Sequence, residues 1–352
     1  MRYRGKRVLV TGGLGFIGSN LSIRLVEEGA EVTIIDSSVA GCGANLFNIA
    51  PIRGEVRIVD ADLAEPEAFR NDIADCDIIF NLAGEISHIH SMQFPERDLQ
   101  INTVAQLRFL MECARTAPGV RVVYASTRQI YGIPDYLPID ERHPIQPVDF
   151  NGVHKYAASM YHQMLSRTGQ IDGVVLRLTN VYGPRMALDV PCQGFLSTFL
   201  RRLLMSQPLQ VYGDGRQLRD PVYIDDAVEA FLLAGSARNL EHRTYNVGGP
   251  QALSLNDIAE IATLAAGAPG VEYLPFPEEI RQIDIGSYTT DSNLILDDLG
   301  WRPTVRFEPG VARALAYYRE NLARYLDPNH PQPSCRMPEH SGAAWRLLYA
   351  AV

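Results

Sequence analysis

The sequence predicts an α/β fold: a doubly wound parallel sheet, with a smaller α/β domain interleaved toward the C-terminus. Two observations carry this. Short β-branched runs alternate with helix-length segments through the first 180 residues, and the rhythm then gives way to Pro/Gly-rich stretches such as "YGPR", "QPLQVYGDGRQLRDP" and "LPFPEEI". Repeated strand-helix alternation implies parallel strands joined by crossovers, with helices on both faces of the sheet.

The strands are "RVLVT" (7–11), "EVTIID" (31–36), "EVRIV" (55–59), "DIIFNLA" (77–83), "VRVVYAS" (120–126) and "GVVLRL" (173–178). Short continuous apolar runs of this kind suit strands buried on both faces, and their β-branched content favours strand over buried helix. Between them, 15–28, 66–74, 98–116 and 151–168 carry apolar residues at helical spacing, and further helices are expected near 193–206, 225–237, 254–265 and 308–325. The first unit then spans 1–180, with 221–248 returning to it; the second spans 181–325; 326–352 is a tail that reads as extended at "DPNHPQPSCRMPEHSG".

With 46% hydrophobic and 21% charged residues, the chain is an ordinary globule rather than a disordered one. A net charge of -9 without a basic run argues against nucleic acid or an anionic membrane as partner. An anionic ligand must therefore be met by a few placed arginines and helix ends. Cys42, Cys76, Cys113, Cys192 and Cys335 are widely spaced and odd in number, which points to reduced thiols in the cytoplasm and to no metal site. The start "MRYRGKRVLVTGG" has too short an apolar run for a signal peptide or a membrane span.

"TGGLGFIG" places Gly12, Gly15 and Gly18, with Phe16 and Ile17 between the last two, directly after a strand and at the opening of a helix. There the glycines permit a tight turn, and backbone N–H groups approach a pyrophosphate whose charge the helix N-terminus favours. Asp36 ends the second strand, 18 residues after Gly18, where its carboxylate can accept hydrogen bonds from an adenosine ribose. Ser37 and Ser38 follow it rather than arginine, so NAD is preferred over NADP. Asp62 and Leu63 after the third strand, and Leu82, Ala83 and Gly84 after the fourth, lie on the same carboxyl edge, where ligands bind in Rossmann-type sheets.

These motifs, together with "SHIHSM", "YASTRQIYG", "LRLTNVYGPRM", "RQLRDPVYIDDAVEAF", "YNVGG" and "LGWRP", give the chain a resemblance over roughly residues 6–320. It resembles the extended short-chain dehydrogenase/reductases, and among them the nucleotide-sugar epimerase/dehydratase family. The resemblance implies a tightly held NAD that takes a hydride from a sugar ring and returns it. Asn102 joins the expected cofactor contacts. Thr127 matches the family's catalytic hydroxyl, and Lys155 the lysine of its Tyr-x-x-x-Lys pair, which also binds the cofactor. Asn151 stands where the tyrosine would be.

A spacing of four puts Asn151 and Lys155 on one helix face. An amide can hold a substrate oxygen but has no useful proton affinity near neutral pH. Dehydrating relatives carry Thr-Asp-Glu after the fifth strand, whereas this chain reads Thr127-Arg128-Gln129, which argues against elimination of water across C5 and C6. The replacement base is sought among Glu85, His88, His154, Tyr131 and Tyr156, or in a relay from Thr127 to Lys155. Glu85 and His88 leave the fourth strand beside the nicotinamide pocket and count as substrate contacts as well.

At the nucleotide end the resemblance assigns Arg219 and Arg281 to the diphosphate, likens Arg185 to the arginine of uronic-acid-handling relatives, and gives Asn180 the sugar or phosphate. Gln210 and Tyr212 in "LQVYG" would edge the base. The leading expectation is an NAD-dependent UDP-hexose 4-epimerase working through a keto-sugar. The other readings are a dehydratase, ketoreductase or decarboxylase with an unconventional base, and a non-catalytic NAD or nucleotide-sugar sensor. In relatives, helices matching 98–116 and 151–168 pair across a two-fold axis, so a homodimer is expected.

Overall fold

The computed structural model describes residues 1–39, 42–190, 194–277, 281 and 283–326. Cys192, Cys335 and the expected tail from 327 onward lie outside the described residues. The central sheet holds β1 (Arg7–Thr11), β2 (Glu31–Asp36), β3 (Arg57–Asp60), β4 (Ile78–Asn81), β5 (Arg121–Thr127), β6 (Asp172–Leu178) and β7 (Thr244–Val247). Their order is β7-β6-β5-β4-β1-β2-β3, every neighbouring pair parallel. The sequence reading contained six of these strands. The seventh, "TYNV", pairs with β6 in the register Thr244↔Val175.

Alternation along the strands divides two hydrophobic layers. Val8, Val10, Ile34, Phe80 and Leu176 face the helices Phe16–Glu27 (α1) and Ile224–Ser236, where Leu21, Leu25 and Phe231 meet them. Leu9, Ile35, Ile79 and Val122 face the other way, onto Phe109 and Leu110 of Ala105–Thr116 and Leu165 of Phe150–Arg167 (α2 and α3 below). Each such side chain contributes about 1.5–3 kcal/mol on burial.

Helix boundaries differ from the periodic reading in ways that bear on the site. The expected helix 98–116 is three pieces, Pro95–Leu99, a π-helical turn Gln100–Val104 and α2. A short helix, His88–Gln93, precedes them, capped by Ser87 Oγ accepting from His90 N at 3.2 Å. α3 is capped by Asp149, whose carboxylate accepts from Gly152 N at 2.6 Å. The second lobe is built from small pairings: Leu209–Tyr212 beside Val271–Leu274, Leu218–Arg219 against Leu253–Ser254, and Val181–Tyr182 beside Val222–Tyr223. The helices Phe195–Leu204, Leu255–Ala266 and Phe307–Asn321 pack around it.

Candidate active site

A cleft of about 770 Å³ runs over the carboxyl ends of β1, β2, β4 and β5 and on into the second lobe. Its first section is shaped by glycine. Gly12 adopts φ +67°, and a Cβ there would stand 2.9 Å from Ala83 N; a Cβ on Gly18 would overlap the Gly12 carbonyl oxygen. Backbone therefore comes closer here than any side chain permits, as a cradle for a dinucleotide pyrophosphate requires.

Asp36 fixes this loop: its carboxylate accepts from Leu14 N at 2.9 Å and Ser38 N at 3.0 Å. Burial raises its pKa, against the lowering effect of those two bonds. Asp62, Leu63, Leu82, Ala83 and Gly84 line the same section.

A buried polar chain that sequence reasoning missed aligns the exits of β1 and β4. Thr11 Oγ1 donates to Asn81 Oδ1 (2.9 Å), Asn81 Nδ2 to Gln106 Oε1 (2.7 Å), and Gln106 Nε2 to the Ala83 carbonyl (2.9 Å). Thr11 Oγ1 also accepts from Leu82 N and Ala83 N, each at 3.1 Å, which ends β4 at Asn81 instead of 83. The signal was the polar Asn81 inside the apolar "IIFNLA", a residue that must find partners when buried.

Thr127, Asn151 and Lys155 line the middle of the cleft. Lys155 is buried 5.8 Å from the centre of the Tyr124 ring, and its ammonium borders Gly84, where a Cβ would stand 3.0 Å from Nζ. Desolvation pushes its pKa down to about 8, with the Asp98 charge opposing. Asn151 is held by both amide hydrogens, donated to Asp98 Oδ2 (2.9 Å) and the Glu85 carbonyl (3.0 Å), while its Oδ1 is buried without a partner. What Asn151 offers a ligand is thus one hydrogen-bond acceptor. Asp98, unnoticed in the sequence, holds His154 Nδ1 through its other oxygen at 2.7 Å.

This arrangement narrows the search for a base. Tyr131 lies in a separate core, donating to Asn246 Oδ1 (2.7 Å) and accepting from Arg177 (2.6 Å). Tyr156 packs against that core, and neither it nor His154 lines the cleft. Glu85 and His88 do line it: Glu85 pairs with Arg97 at 3.2 Å, and His88 Nδ1 stands 3.1 Å from Asp149. Gln129 donates to Asp149 at 2.8 Å, so its amide serves the start of α3.

In the second lobe Asn180, Gln210, Tyr212 and Arg219 line the cleft. Asn180 Oδ1 is buried without a partner. Arg219 Nη1 donates to the carbonyls of Leu218 (2.7 Å) and Gly286 (2.5 Å), and Nη2 lies 3.8 Å from Asp284. Burial and the neighbouring Arg128 push its pKa down to about 10.

Three expected contacts are elsewhere. Arg185, at φ +73°, places its guanidinium on the Asn48 carbonyl (3.0 Å), Asn20 Oδ1 (2.9 Å) and the Tyr317 ring. It does not line the cleft. Asn102 is turned inward by the π-helical turn; it accepts from Glu85 N (3.1 Å) and donates to Glu85 O (3.0 Å), holding the 84–85 backbone from behind. Arg281 is exposed and outside the cleft lining.

The pattern of the NAD dependent epimerase/dehydratase family matches residues 8–248. A putative UDP-glucose 4-epimerase of Methanocaldococcus jannaschii is 32% identical over 321 residues, 89% of this chain and 99% of that protein. The chain belongs to the NAD dependent epimerase/dehydratase family.

Two solved structures of the family share the fold. The UDP-glucose 4-epimerase of Thermotoga maritima, crystallised with UDP-glucose, superposes with a TM-score of 0.81 at 27% identity, covering 90% of this chain and 99% of its own. The dTDP-glucose 4,6-dehydratase DesIV of Streptomyces venezuelae, crystallised with NAD, gives 0.81 at 27%, covering 91% and 98%. As a family member the chain is an NAD-dependent nucleotide-sugar epimerase or dehydratase. The glycine cradle and the Asp36 carboxylate fit NAD.

Proposed function

We propose that this enzyme is a 4-epimerase of a UDP-hexose, working through a keto-sugar. One observation carries the reading: a single cleft joins the glycine cradle to a second lobe presenting Asn180, Gln210, Tyr212 and Arg219, with Thr127 and Lys155 between them. Arg128 and Gln129 stand where the resemblance places the acid pair of dehydrating relatives, and Gln129 is committed to Asp149. Epimerisation needs fewer acid/base groups than elimination or decarboxylation.

NAD, when bound, supplies a reversible hydride acceptor. Thr127 and the free Oδ1 of Asn151 orient the reacting hydroxyl, and Lys155, with its depressed pKa, receives the hydroxyl proton and returns it after the ketone has turned over. Arg219 meets the diphosphate, and Gln210 and Tyr212, the latter beside Phe276, edge the uracil. The test is product analysis by NMR after incubating the NAD-loaded chain with UDP-glucose, UDP-galactose and their C6-oxidised and N-acetyl analogues. Interconversion of a C4 pair is expected; a 4-keto-6-deoxy sugar or a released pentose would put the chain among the dehydratases or decarboxylases.

We further propose a homodimer through α2 and α3, on whose surfaces Met111, Phe150, Val153, Met160 and Met164 are exposed. No described helix is long and apolar enough to cross a membrane. The described cysteines Cys42, Cys76 and Cys113 are free, which suits a reducing cytoplasm and is checked by cell fractionation.

A further inference from the structure

We propose that Arg128 forms an anion subsite at the sugar end of the cleft, and that the substrate's hexose carries a carboxylate, a nucleotide-linked uronic acid. This rests on the nucleotide-sugar reading above and sharpens it.

Arg128 leaves the sheet one residue after Thr127 and lines the cleft. Its guanidinium lies over the ring of Tyr288, 4.9 Å from the centroid. A ring face takes up cationic charge but offers no acceptor to the in-plane N–H groups. Nη1 is buried with no hydrogen-bond partner. The surrounding acids have other donors: Asp220 accepts from Thr179 (2.6 Å) and Thr290 N (2.8 Å), Asp149 from Gln129 and Gly152, and Asp284 from Gln217 (3.0 Å). Arg121, Arg177 and Arg219 each have protein acceptors, although Arg177 Nε, like Arg128 Nη1, is buried without one. A buried guanidinium N–H without an acceptor is costly, and a bidentate anion is the partner the fork fits.

Arg219 already faces the cleft, near enough for the two positive charges to oppose one another. A diphosphate supplies an anionic group for each of two cations, so it is place and not number that assigns Arg128. Its position one residue after Thr127 puts its anion on the sugar.

Calorimetry on the full, NAD-loaded chain with UDP, UDP-glucose and UDP-glucuronate tests this. The wild type is expected to bind UDP-glucuronate at least about tenfold more tightly than UDP-glucose. Arg128→Gln should erase that gap while leaving UDP and UDP-glucose within about twofold of their wild-type affinities. Equal wild-type affinities for the two sugars overturn the inference, as does an Arg128→Gln that weakens UDP as much as UDP-glucuronate, since Arg128 would then serve the diphosphate. The wild-type comparison stands even if the variant does not fold. Failure to bind UDP at all would sink the nucleotide-sugar reading together with this one, whereas binding of UDP and UDP-glucose without gain from the carboxylate sinks this one alone.

Discussion

On the proposed reading, Lys155 takes on more of the proton chemistry than a lysine beside a tyrosine would need to. With a folded-state pKa near 8 against an ordinary value of 10.5, it holds a usable neutral fraction at physiological pH. A nicotinamide cation, when bound nearby, would lower that value further. Turnover should therefore rise with pH from 6 and level off at or below about 8, and Lys155→Met should lose on the order of a hundredfold or more in kcat. A flat profile of kcat over this range would exclude Lys155 as the proton carrier. The linked effect on folding has a definite sign: the unfolded lysine binds its proton more tightly, so the burial cost is fully present below pH 8 and is relieved as pH rises toward 10.5. Arg219→Ala should weaken UDP-sugar binding at least about tenfold while NAD stays bound, which calorimetry and cofactor content check separately. Arg185 shows where residue-level reading stops. "YGPR" identifies an arginine in a family motif, but its guanidinium is taken by Asn48 and Asn20, partners far away in sequence that the motif does not announce.

The elements were legible to the extent that their periods were simple. β1 and β2 occupy the residues expected, because continuous β-branched runs bounded by turns admit few other structures. The π-helical turn Gln100–Val104 was not legible, since one extra residue per turn barely disturbs an apolar pattern yet rotates Asn102 from the cleft toward the backbone of Glu85. The seventh strand was missed as a strand because "TYNV" is only four residues long and is partnered by a strand far back in the chain. The glycine loop was read from local sequence alone, and it makes a strict prediction. Gly18→Ala would press Cβ into the Gly12 carbonyl, which is backbone and cannot move aside. It should cost about 1–3 kcal/mol of stability and leave the purified protein without NAD, as thermal denaturation and the absorbance of acid-released nucleotide will measure. Retention of NAD at wild-type levels would mean the pyrophosphate lies elsewhere.

For the molecule as a whole, the exposed side chains of α2 and α3 set the expected assembly. Met111 is 50% exposed, Val153 46% and Met164 44%, and helix surfaces of this kind are normally covered. The double substitution Val153→Asp with Met160→Glu should convert a dimer to a monomer, seen as a halving of mass in light scattering. A wild type already monomeric at micromolar concentration would refute the assembly. One further consequence follows from the path of the chain. It leaves the sheet at Leu178, builds part of the second lobe, and comes back at Thr244 to lay β7 along β6. During synthesis β6 is therefore an open edge until about sixty-five more residues have emerged from the ribosome, and a product terminated in that interval would expose a sticky border to its neighbours. Any attempt to express the nucleotide-holding half alone should carry the returning segment with it, spliced on by a short linker, or be prepared to recover aggregate.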